Sequence, residues 1–169
     1  MNELEQLYQA IILQHSKERH GFGELQGGLA SSHQVNPTCG DEVTLELSLD
    51  GENLGPLVWK GSGCSISQAS LSVMYDLVEG KKLAEIRSLF TDFKTLMHSR
   101  GQEVDEDILD RLEDASAFQG VSRYVARIKC ALLGWMALDD ALLQAESQRG
   151  KVQAHQEAEH CITVSPVED

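Results

Sequence analysis

Residues 41–80 read DEVTLELSLDGENLGPLVWKGSGCSISQASLSVMYDLVEG, and the hydrophobic period changes once along them. Val43, Leu45, Leu47 and Leu49 alternate with Thr44, Glu46 and Ser48, the two-residue period of a strand with one wet face. Asp50-Gly51 supplies a turn, so residues 54–60 can return as the partner strand. From Ser65 the period lengthens. Ile66, Ala69, Val73 and Leu77 share one helix stripe, serines in the first turn are candidate caps, and Gly80 is placed to end the helix.

Toward the N-terminus, Leu4, Leu7, Tyr8, Ile11 and Ile12 recur at the spacing of one helix face, which predicts an amphipathic helix from residue 3 to about residue 18 flanking the core. Gly21, Gly23, Gly27 and Gly28 then break the period. Leu29 to Val35 reads as a short edge strand before the Asn36-Pro37 turn. Toward the C-terminus, Leu83, Ile86, Phe90, Phe93 and Met97 predict a further helix. Asp105 can cap another through Leu109 and Leu112, ending near Gly120. A last helix runs from about Val125 through Ile128, Leu132, Trp135 and Leu138 to Leu142. Met74, Trp135 and Met136 read as core. The order of helix, strands and helices argues an α+β class, a small antiparallel sheet of about three strands packed on one face against helices. Residues 1–144 read as one domain. Residues 145–169, poor in large apolar side chains, read as a frayed or disordered tail, in which His155, His160 and Cys161 read as solvated side chains rather than adventitious metal ligands.

The 169 residues are 41% hydrophobic and 24% charged, enough for one core and too regular for a low-complexity chain. A formal net charge of −13 opposes attraction to phosphate backbones and anionic membranes, so no nucleic-acid or membrane partner is expected. The early acids exclude a signal peptide, and the longest apolar run, Ala131 to Leu138, is far too short to cross a bilayer. A soluble, cytoplasmic chain is expected. In that reducing setting Cys39, Cys64, Cys130 and Cys161 read as thiols or metal ligands before disulfides.

Cys39-Gly40-Asp41 sets a thiol and a carboxylate two positions apart at the entry to the strand, so both can point the same way. Cys64 ends the connection Gly61-Ser62-Gly63-Cys64 at a helix start, where free N–H groups favour thiolate. Arg127 lies one turn before Cys130 on the last helix and can stabilise a sulfur anion electrostatically. Three sulfurs and one carboxylate make a tetrahedral zinc set, or a mostly thiolate site for iron and sulfide. The wide spacings leave other readings open. Cys64 and Cys130 can be small buried residues, Asp41 a turn aspartate bonding its own backbone, and Arg127 and Lys129 a solvated face. A Cys39–His33 hydrolytic pair has no recognisable oxyanion element or third orienting residue.

The stretches Asn36-Pro37-Thr38-Cys39-Gly40-Asp41, Gly61-Ser62-Gly63-Cys64-Ser65-Ile66-Ser67-Gln68-Ala69-Ser70, Gln119-Gly120-Val121-Ser122-Arg123 and Ala126-Arg127-Ile128-Lys129-Cys130 occur in order. Together they resemble the SufU branch of the NifU/IscU iron-sulfur cluster assembly family, over about residues 3 to 143. Lys129 stands where the scaffold members of the IscU type have His, and the residues around Ser99 to Asp114 match the SufU-type insertion. Two departures stand out: His15 to Gly21 replaces the family's Asn-Pro-rich segment, and Val125 replaces a frequent Pro. The resemblance implies zinc held by Cys39, Asp41, Cys64 and Cys130, with Arg127 as the basic residue beside the site. It implies a persulfide carrier of sulfurtransferase type, with Cys39 as acceptor, a cysteine desulfurase as partner and a downstream iron-sulfur scaffold or acceptor. Two alternatives keep the same four residues: a scaffold carrying iron or an iron-sulfur cluster, and a structural zinc module.

Overall fold

The computed structural model describes residues 2–162. Helix α1, Glu3–Glu18, starts at a reciprocal cap in which the Asn2 side chain accepts from Glu5 N–H at 2.8 Å and the Glu5 carboxylate accepts from Asn2 N–H. Strands β1 (Ala30–Asn36), β2 (Asp41–Asp50) and β3 (Asn53–Ser62) form an antiparallel sheet in the order β1-β2-β3. Its middle strand is the alternating segment, and the edge strand expected before Asn36-Pro37 is β1. Helices α2 (Ser65–Val78), α3 (Leu83–His98), α4 (Glu106–Leu112) and α5 (Val125–Ile162) follow, with a 3-10 segment, Glu113–Arg123, between the last two. The class is α+β, as the sequence predicts.

Val43, Leu45 and Leu47 are fully buried on the face of β2 toward α5, which lies across β1 and β2 and against α2. The second half of the core is aromatic: Trp135 stacks on Phe93 at 5.0 Å and on Phe90 at 5.9 Å, and Phe118 meets Phe93 edge-on. Helix α1 packs on α2 and the 3-10 segment from outside.

Four local expectations are corrected. The serines do not cap α2; Cys64 is its N-cap residue and makes no side-chain capping bond. The α4 segment does not stay α-helical to Gly120. Glu113 turns to φ 50°, and Ser116 and Ser122 donate to carbonyls three residues back, which favours tighter turns. Met136 is 51% exposed, because α5 turns that position away from the sheet. The last helix continues past Leu142 to Ile162: Ala145 is buried, Glu146 pairs with Arg87, and Arg149 reaches the Gly51 carbonyl and Glu52. These contacts tie the helix to the fold as far as Arg149, where apolar periodicity has ended. Residues 163–169 and the side chains of His155, His160 and Cys161 lie outside the described part.

Candidate metal centre

The sheet register brings distant cysteines to one end of the fold. Asn36 pairs with Asp41 and Glu42 with Ser62, so the β1–β2 turn carrying Cys39 lies beside the β3–α2 connection carrying Cys64. Helix α5 delivers Cys130 from its second turn. The Sγ atoms of Cys39 and Cys130 are 3.1 Å apart, and these two sulfurs and an Asp41 carboxylate oxygen all lie within 4.8 Å of one another. Cys64 Sγ is 3.8 Å from Asp41 Oδ2. Three of the four expected ligands share a point, and the fourth joins through Asp41.

Asp41 is 0% exposed, and its Oδ1 accepts the Cys64 N–H at 2.8 Å. A turn aspartate would bond its own loop; this one clamps the strand entry to the helix start. The clamp needs Gly63, where a Cβ would lie 2.4 Å from Asp41 Oδ1. Cys39 is exposed; of the two cysteines that could be small buried residues, Cys64 is half-buried and Cys130 is buried, as that reading has it, with its sulfur against Cys39. Asn36, read from sequence only as a turn residue, donates from Nδ2 to Cys39 Sγ at 2.8 Å while its Oδ1 accepts the Thr38 N–H. Ser67 donates to the Cys64 carbonyl, with its Oγ 3.9 Å from Cys64 Sγ. Both contacts depend on how the turns close, which no local pattern announces.

Burial, followed by contacts with Cys39 and Asp41 and the nearby charge of Cys64, pushes the Cys130 thiol well above the usual thiol range. A cation at the convergence is what would favour thiolate there. Three sulfurs and a carboxylate from separate elements suit a closed four-coordinate site for zinc or another sulfur-seeking ion. The donor set fits a metal.

Arg127 is exposed and, among the described residues, makes no hydrogen bond or ion pair with the cluster. It borders a groove of about 750 Å³ walled by Leu4, Tyr8 and Ile12 of α1 and by Val121 and Tyr124. His33 points away from the cysteines and bonds Thr44 Oγ1 at 2.8 Å on the outer side of the sheet, so no Cys39–His33 pair forms.

The model of the NifU-like N-terminal domain family matches residues 7–144. A zinc-dependent sulfurtransferase SufU from Bacillus subtilis is 38% identical over 143 residues, 85% of this chain and 94% of that protein. An iron-sulfur cluster assembly scaffold protein IscU from Streptococcus pyogenes is 34% identical over 142 residues, 84% and 86% of the two chains. Among solved structures, a SUF-system iron-sulfur cluster assembly scaffold protein from Fervidobacterium islandicum superposes with a TM-score of 0.69 at 34% identity, covering 82% of this chain and 98% of its own.

Proposed function

Because the chain belongs to the NifU-like N-terminal domain family, we propose that it is an iron-sulfur cluster assembly protein that takes sulfur as a persulfide from a cysteine desulfurase and carries it to a downstream scaffold or acceptor. The observation that carries this reading is the convergence of Cys39, Asp41 and Cys130 with Cys64 bonded to Asp41, Cys39 alone being exposed. Cys39, Asp41, Cys64 and Cys130 would hold zinc, which when bound keeps thiols deprotonated at neutral pH.

Cys39 is the sulfur acceptor. It sits in a turn with Gly40 at φ +72°, open to an approaching protein, while Asn36 orients its sulfur. The Cys39 thiolate attacks the outer sulfur of the donor's cysteine persulfide. A new S–S bond forms on Cys39, the donor's S–S bond breaks, and the donor cysteine leaves as thiolate with no net oxidation. Asp41 keeps Cys64 and Cys130 placed while Cys39 moves. Arg127, on the rim of the groove beside the start of α5, offers positive charge to the anionic sulfur as it arrives.

The similarity to a scaffold relative favours a second reading, an iron-sulfur cluster built on the same four residues. Lys129 in place of the scaffold-type His favours the carrier. The test is desulfurase turnover with metal-loaded protein. Stimulation that Cys39→Ser and Asp41→Ala abolish supports the carrier; full sulfur acceptance by Cys39→Ser contradicts it. Metal retained without any stimulation would leave only a structural staple.

A further inference from the structure

A second cluster of metal-ligating side chains lies where α1 meets α2. His15, His20 and Asp76 each offer one ligand atom, and the three atoms lie within 4.8 Å of one another. None is a cysteine, and Asp76 is on α2 twelve residues beyond Cys64, about 18 Å along the helix axis. We propose that His15, His20 and Asp76 form a second binding site for a first-row divalent cation such as zinc or iron(II).

The backbone holds these side chains before any ion arrives. Arg19, at φ 50°, ends α1, and the next N–H, of His20, bonds Ser72 Oγ at 2.9 Å. Gly21, at φ +82°, passes so close to α2 that a Cβ would meet the Tyr75 ring at 2.2 Å. The chain is therefore pinned on both sides of His20. The two imidazoles meet edge-on with centroids 5.1 Å apart, and His15 is buried.

The outer partners are those of a metal-bound histidine. His20 Nδ1 lies 2.7 Å from Asp76 Oδ2, while its Nε2 lies 2.9 Å from Glu18 Oε2. Carboxylates on both nitrogens favour the imidazolium when no ion is bound; an ion that displaces the Nδ1 proton leaves Nε2–H on Glu18, an outer partner that orients a ligating histidine. His15 is likewise held at both nitrogens, by Ser72 Oγ at 2.7 Å and Asp114 Oδ2 at 3.4 Å, so turning either one to an ion leaves the other with a partner. Two imidazoles and one carboxylate are a borderline donor set that suits first-row cations and leaves a position open.

This inference does not depend on what the cysteine site does. The test uses the full-length chain carrying one zinc equivalent in that site, titrated with cobalt(II), which binds nitrogen and sulfur sites more weakly than zinc and so does not displace it. One further equivalent is expected, with weak visible bands and no sulfur-to-cobalt charge-transfer absorption. His20→Gln and the exposed Asp76→Asn should each weaken that equivalent by about tenfold or more, a loss of the size expected from the outer partners of a site alone. Unchanged circular dichroism and unchanged zinc content show that the variants remain folded. A His155→Ala/His160→Ala double variant should bind as the parent does. No further equivalent, an equivalent indifferent to His20→Gln and Asp76→Asn, or one lost with His155 and His160 overturns the proposal.

Discussion

A methyl group at Gly63 would sit 2.4 Å from Asp41 Oδ1 and 2.6 Å from Ser67 Oγ. Asp41 has no room to retreat, being wholly buried. Gly63→Ala should therefore leave the fold intact and weaken metal retention by about 10- to 100-fold, read by competition with a chelator. Asn36→Asp tests the sulfur's other support. It keeps the acceptor for Thr38 N–H, removes the donor to Cys39 Sγ and adds a negative charge beside it. It should lower retention over the same range of about 10- to 100-fold. The cysteines and Asp41 were legible in the sequence through the motifs they sit in. Asn36 and Ser67 lie in the same stretches, but their roles were not legible, because each is a contact across a turn that no spacing announces.

At the scale of elements, the legible parts were those with one dominant period. Strand β2 and helices α1 to α3 each carry one regular apolar period, so their spacing announces them, although Leu4 and Leu7 of the α1 stripe stay more than half exposed. The 3-10 segment carries no such stripe. Its conformation follows from a positive φ at Glu113 and from serine hydroxyls bonding back onto carbonyls. Beyond its apolar stripe, helix α5 is tied to the fold by polar contacts from Glu146 and Arg149. Its packing on α2 rests on a residue no period marks. A Cβ at Gly134 would lie 2.4 Å from Leu71 Cδ2. Gly134→Ala overpacks this crossing at about 1–3 kcal/mol but gains about 1 kcal/mol of helix propensity, so a net loss of up to about 2 kcal/mol is expected in urea unfolding.

For the whole molecule, the fold serves the site by carrying two connections and the start of α5 to one end of the sheet. Among the described residues no helix is long and apolar enough to cross a membrane. The core behind the site is held by Trp135 between Phe90 and Phe93, so Trp135→Ala should cost about 3–5 kcal/mol. That loss is expected without any change in which metal the protein binds, because Trp135 is not among the proposed ligands. If Cys39, Asp41, Cys64 and Cys130 hold zinc in a sulfur carrier, as proposed, the metal content of protein purified anaerobically from its own cells will show it. One zinc per chain in the cysteine site, with no acid-labile sulfide, is the predicted result; stoichiometric iron and sulfide would contradict it and make the chain a scaffold.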